Sequence, residues 1–114
     1  MKTVRVVLSS EAEEVYKYLN ENAPTSKNER AILKAINYKK ELIKVNVHYG
    51  EPIAKAKIPA DYIQKYGVNN LFWVSLPNGW RMLYTLTANG EIEIVAFVLG
   101  IMDHDRYNKK FGYR

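Results

Sequence analysis

The sequence contains no cysteine, only two histidines, four prolines and six glycines among its 114 residues. Without cysteine there is no disulfide scaffold, thiolate nucleophile or thiolate metal site, which fits a reducing compartment. No apolar run approaches the roughly 18 residues that a membrane span requires. The opening Met1-Lys2-Thr3-Val4-Arg5 also lacks the apolar stretch of a secretory signal. The expectation is a soluble cytoplasmic protein without membrane contact. Repeats, linkers and low-complexity segments are missing as well, and the length suffices for one core but not for two. A single domain over residues 1–114 follows.

What is present is 47% hydrophobic and 25% charged, with a formal charge of +5 that favours polyanions or an acidic protein partner. That charge is uneven. Residues 104–114 hold four Lys or Arg (Arg106, Lys109, Lys110 and Arg114) against the single acid Asp105, with Tyr107, Phe111 and Tyr113 among them. Cations for phosphates and rings for bases are the mixture of a single-stranded nucleic acid site. The same composition also describes a solvated tail whose aromatics tuck onto the domain.

Residues 4–8 are short and β-branched and read as an opening strand. Ser10 and Glu13 form a capping box ahead of Ala12, Val15, Tyr16 and Leu19, whose spacing predicts an amphipathic helix ending near Asn22. Capping, rather than nucleophilic chemistry, is the role this gives Ser9-Ser10. A second box, Ser26 with Glu29, precedes a longer helix with Ile32, Ala35, Ile36 and Ile43 on one side, fraying around Asn46 to Tyr49 before Gly50 and Pro52. Helices joined so briefly lie antiparallel. A loop, with at most a short helical turn, runs to Gly67. Leu71 to Leu76, Trp80 to Thr87 and Glu91 to Leu99 then read as three strands separated by Pro77-Asn78-Gly79 and Ala88-Asn89-Gly90. The order predicts an α+β fold: an N-terminal strand, a two-helix antiparallel hairpin and a three-stranded antiparallel meander, with the helices packed on one face of the sheet.

Alternation assigns Phe72, Val74, Leu76, Met82, Tyr84 and Leu86 to the core face, and Trp73, Ser75, Arg81, Leu83 and Thr85 to the other. Arg81 thus stands in mid-sheet among apolar residues, a costly place for a charge unless an anion or carboxylate meets it. A pair with Glu91 or Glu93 on the next strand is one solution. A bound phosphate is another.

The segment from Asn70 to Tyr84, with its G-aromatic-R-apolar-apolar-Y portion from Gly79, resembles the strand-turn-strand of the RelE/ParE superfamily of toxins from toxin-antitoxin operons. The last strand followed by Met102-Asp103-His104-Asp105-Arg106-Tyr107 is similar to that family's closing strand and C-terminal functional segment. The resemblance implies a RelE-like toxin that cuts messenger RNA on the ribosome and is neutralised by a cognate antitoxin. It also implies that Arg81 binds phosphate and stabilises the transition state, with His104 and Tyr107 acting near the scissile phosphate. Two strand lysines of some RelE proteins are replaced here by Trp73 and Ser75, so the likeness is to branches that rely on histidine.

Metal-free RNA cleavage by the 2′-hydroxyl needs a base, charge stabilisation at phosphorus and an acid for the leaving 5′-oxygen. The fork of Arg81 suits the second task and the imidazole of His104 suits proton transfer. The base is open. Lys55, Lys57 and Glu51 lie in the loop before the sheet; the lysines suit RNA phosphates better than base work, as do Arg106, Lys109 and Lys110. Asp103 and Asp105 flank His104 in a segment read as extended, where neighbours face apart, so neither orients the imidazole automatically. The three adjacent residues do not converge on an ion, and no metal or other cofactor is expected. Tyr107 and Trp73 have ring faces for stacking; alternatively Tyr107 and Phe111 anchor the tail and Trp73 packs against Leu83. Two rival readings are a ParE-like gyrase inhibitor and a catalytically inactive member of the fold that binds RNA or antitoxin. Oligomeric state is not read from the sequence.

Overall fold

The computed structural model describes residues 3–89 and 93–112. Its elements are β1 (Thr3–Leu8), α1 (Ser10–Asn22), α2 (Lys27–Val45), β2 (Glu51–Pro52), α3 (Ala60–Tyr66), β3 (Phe72–Ser75), β4 (Arg81–Asn89), β5 (Glu93–Met102) and α4 (His104–Phe111). The result is a mixed α and β fold with a five-stranded sheet in the order β1-β5-β4-β3-β2. The expected meander is β3-β4-β5, each pair antiparallel. Two strands extend it. β1 runs parallel to β5, with Thr3 opposite Glu93 and Leu8 opposite Val98, and the two-residue β2 caps the other edge against β3.

Both helix starts obey capping chemistry, with one shift. The cap of α1 is Ser9, one residue earlier than expected: its hydroxyl accepts from the Ala12 N–H at 3.1 Å and donates to the Leu99 carbonyl at 2.8 Å. Ser26 caps α2 by accepting from the Glu29 N–H, which is one half of the predicted box; the other half is replaced, since the Ser26 N–H donates to the Asn22 carbonyl and the Glu29 carboxylate accepts from the Ser26 hydroxyl instead. The helix stops cleanly at Val45.

The expectation of helices on one face is corrected. Phe72, Val74, Leu76, Met82, Tyr84, Ala96, Val98 and Ile101 form one core with Ala12 and Leu19 of α1 and Ile32, Ile36 and Ile43 of α2. A second core lies on the opposite face, where Leu83, Leu99 and Met102 meet Ile58, Tyr62 and Tyr107. The apolar Leu83, between Arg81 and Thr85, is the residue that requires this second layer: it is fully buried. The C-terminal segment read as extended is instead the helix α4. Asp103 caps it, accepting from the Arg106 N–H at 2.9 Å, and Gly112 ends it at φ 73°.

A bulge between Leu83 and Tyr84 makes the two faces compatible. Leu83 opposes Gly100 while Tyr84 opposes Val98, so Leu99 is the extra residue. Beyond it the alternation of β5 is reversed: Ile101 joins the α1–α2 core and Met102 the opposite one. The Ser9 hydroxyl satisfies the carbonyl of that extra residue.

Candidate active site

Arg81 opens β4 opposite Ser75 on one side and Met102 on the other. Its guanidinium lies between two rings, 4.3 Å from the centroid of Trp73 and 4.4 Å from that of Tyr107. Both distances are those of cation–π contacts, which hold a cation without neutralising it. Among the described residues no ion pair includes Arg81. Glu93 stands nine positions from Met102 along β5, roughly 30 Å at about 3.3 Å per residue. A pair between Arg81 and Glu93 is thereby removed, and Glu91 lies outside the described residues. The rings fix the plane of a half-buried, permanently charged fork and leave its N–H groups to an anion.

The second ring comes from α4. Tyr107 is 4% exposed, packs against Phe111 at 4.6 Å between centroids and belongs to the second core. The ring anchors the helix, as one reading of Tyr107 expects, and it also supports Arg81, a contact that neither reading names. Trp73 likewise pairs with Leu83 across the ladder while holding Arg81 on its face.

His104 is the first residue of α4 and is exposed. The side-chain amide of Asn108, one turn later, meets its Nε2 at 3.0 Å and so orients the ring on α4. Neither neighbouring carboxylate orients the ring: Asp103 is engaged as the helix cap and Asp105 lies in the first turn. Gly79 of the β3–β4 turn adjoins the imidazole, since a Cβ there would stand 3.4 Å from the His104 Cβ. The turn before Arg81 and the start of α4 therefore meet at one end of the sheet.

The other cations are dispersed. Lys110 donates to the Asp61 carboxylate at 2.5 Å and lies 4.2 Å from the Tyr62 centroid, so it ties α4 to α3. Burial pushes the Asp61 carboxyl up, but the hydrogen bond and charge of Lys110 outweigh this and leave it lowered. Arg106 lines a groove on the α1 side, shared with Glu14, Val15, Tyr18 and Trp80. Lys109 is exposed on the last turn of α4. Lys55 and Lys57 occupy an exposed helical turn after β2, which runs past Leu71, toward the end of β3 opposite Ser75 and Arg81.

Glu51 is better placed. It pairs with Trp73 in the antiparallel ladder, so both side chains project from the Arg81 face, and it is exposed. Its position is set by Tyr84, whose hydroxyl donates to the Val47 carbonyl at 2.8 Å and accepts from the Gly50 N–H at 2.9 Å. Gly50 admits no side chain, because a Cβ would lie 2.9 Å from the Tyr84 ring and 3.0 Å from the Trp73 carbonyl. The tyrosine that closes the G-aromatic-R-apolar-apolar-Y segment is thus a clamp on the loop that delivers Glu51.

Sequence reasoning missed Asn108 and the pair Lys39 and Tyr49, which meet at 3.1 Å beside Glu51. The spacing of His104 and Asn108 is a helix signal, and Asp103 and Gly112 bracket that helix as cap and stop. Nothing local connects Lys39 with Tyr49; α2 and the following loop bring them together.

No family model, characterised protein or solved structure matches this chain.

Proposed function

We propose that this protein is a RelE-like endoribonuclease, the toxin of a toxin-antitoxin pair, which cuts messenger RNA on the ribosome without a metal. The observation that carries the reading is Arg81, a half-buried guanidinium held between Trp73 and Tyr107 with no carboxylate paired to it among the described residues. Such a preorganised cation suits a phosphate whose charge grows in the transition state. A strand, a helical hairpin and a meander, with β1 returned beside β5, supports the RelE-like arrangement suggested by the segment around Arg81.

In this mechanism Glu51 takes the proton of the 2′-hydroxyl, and the 2′-oxygen attacks the adjacent phosphorus. Arg81 binds the non-bridging oxygens as they gain charge. The bond from phosphorus to the 5′-oxygen breaks, and protonated His104 supplies that oxygen's proton, leaving a 2′,3′-cyclic phosphate and a 5′-hydroxyl. Tyr107 acts by holding Arg81. Lys55, Lys57, Arg106 and Lys109 contact more distant phosphates, whereas Lys110 is engaged by Asp61.

The test is induction of the wild type, Arg81→Ala and His104→Ala in cells, with mapping of messenger RNA ends. Cleavage with the wild type that is lost in both variants is expected. Growth arrest with DNA damage and intact messages would establish a gyrase inhibitor instead. An absence of any growth effect would overturn the nuclease reading in favour of an inactive binding protein. Arg81→Lys separates charge from geometry: it keeps the cation but loses the fork, and cleavage falls about as far as with alanine if two phosphate oxygens are held at once.

A further inference from the structure

A cavity of about 210 Å³ lies where β2 stops covering β3, lined by Lys39, Tyr49, Glu51, Trp73 and Ser75 among others. β2 pairs only with Trp73 and Phe72, so Val74 and Ser75 form an open sheet edge at this cavity. It joins the two sides of the sheet. Glu51 and Trp73 share the Arg81 face, while Lys39 comes from α2, which packs on the other. The Lys39 ammonium donates to the Tyr49 hydroxyl at 3.1 Å and lies 5.4 Å from that ring's centroid. Among the described residues it has no carboxylate partner.

We infer that this cavity seats the base of the nucleotide on the 5′ side of the cut, and that Lys39 selects bases presenting a ring carbonyl rather than an amino group. The inference rests on the nuclease reading for the identity of that nucleotide. Its geometry is continuous with the candidate site through Trp73, which touches Arg81 and also walls the cavity. A phosphate on Arg81 places the preceding ribose beside Glu51, and the base then turns round the open edge of β3 toward Lys39. Tyr49 and Trp73 supply aromatic surface for it.

The selectivity follows from the chemistry of lysine. An ammonium has three donors and no acceptor; one donor is used on Tyr49 and two remain. They match the O6 and N7 of guanine or hypoxanthine and the O4 of uracil. The amino groups of adenine and cytosine at the corresponding positions would set donor against donor.

The experiment measures binding of the whole protein to 2′-O-methyl hexanucleotides, which cannot be cut, each carrying one base among abasic positions. Adenine and hypoxanthine are compared by fluorescence anisotropy. Hypoxanthine is expected to bind roughly ten-fold more tightly, the worth of one hydrogen bond from a charged donor. Lys39→Met should level the two, and Lys39→Arg, also a pure donor, should restore the preference. Equal binding by the wild type, or a preference that survives Lys39→Met, overturns the inference. Cleavage of unmodified RNA is followed in parallel. Cleavage without preference removes the base seat alone; preference without cleavage removes the nuclease reading and supports the seat.

Discussion

Gly79 and His104 stand against each other across the join between the β3–β4 turn and α4, with room for a Cβ on Gly79 at 3.4 Å from the His104 Cβ. The same glycine has φ 78°, a conformation that costs other residues about 1–2 kcal/mol. Gly79→Ala should therefore destabilise the protein by about that amount, measured by denaturant unfolding. Relief of that strain would move the turn and the imidazole together, so cleavage should fall more than stability does.

Tyr107 distinguishes a supporting ring from a reacting phenol. Tyr107→Phe keeps the face on which Arg81 rests and should retain cleavage within about five-fold, given that an exchanged hydrogen bond contributes about 1 kcal/mol. Tyr107→Ala removes the ring and leaves a cavity in the second core, at about 3–5 kcal/mol. A collapse of cleavage in a folded Tyr107→Phe protein would assign the hydroxyl a chemical step.

The tie between Lys110 and Asp61 makes stability fall in acid. Because the folded protein lowers the Asp61 pKa, its contribution is full above the ordinary aspartate value of about 3.9 and is lost as pH falls through the lowered one. Asp61→Asn should be less stable than the wild type at neutral pH, and the gap should close toward pH 2 in urea titrations. The carboxylate is largely exposed, so the gap is small.

Tyr62 is almost completely buried, and its hydroxyl has no hydrogen-bond partner among the described residues. Tyr62→Phe should therefore leave stability unchanged or raise it, since a buried hydroxyl without a partner carries a desolvation cost. A Cβ on Gly100 would come within 2.6 Å of that hydroxyl. Gly100→Ala should cost about 1–3 kcal/mol by overpacking, and Tyr62→Phe should recover part of it. Strict additivity in calorimetry would contradict this coupling.

Ser9→Ala should cost about 1–2 kcal/mol in thermal unfolding. It removes a helix cap and leaves the carbonyl of the bulged Leu99 without its donor.

The first core was legible because its pattern is local: Phe72, Val74 and Leu76 alternate with Trp73 and Ser75, and the stripe from Ile32 to Ile43 follows helical spacing. The second face was not, because Arg81 made it look polar although Leu83 between Arg81 and Thr85 already required cover. β1 was readable as a strand, but its partner was not, since the pairing with β5 is remote in sequence. In the site, Arg81 was legible from its unsuitable neighbours. The ring beneath it depended on recognising α4, and its caps, Asp103 and Gly112, were hidden within a segment that charge made resemble a tail.

The parallel pairing of β1 with β5 joins residues ninety positions apart, as in Thr3 with Glu93. Closing so large a loop is the entropically slowest kind of step, whereas the α1–α2 hairpin and the β3-β4-β5 meander form from near neighbours. The topology therefore predicts an order of assembly in which the meander and hairpin come first and β1 docks last, fastening one to the other. A ligand that holds β1 against the edge of β5 would act on the folding of this protein before it acted on any finished surface.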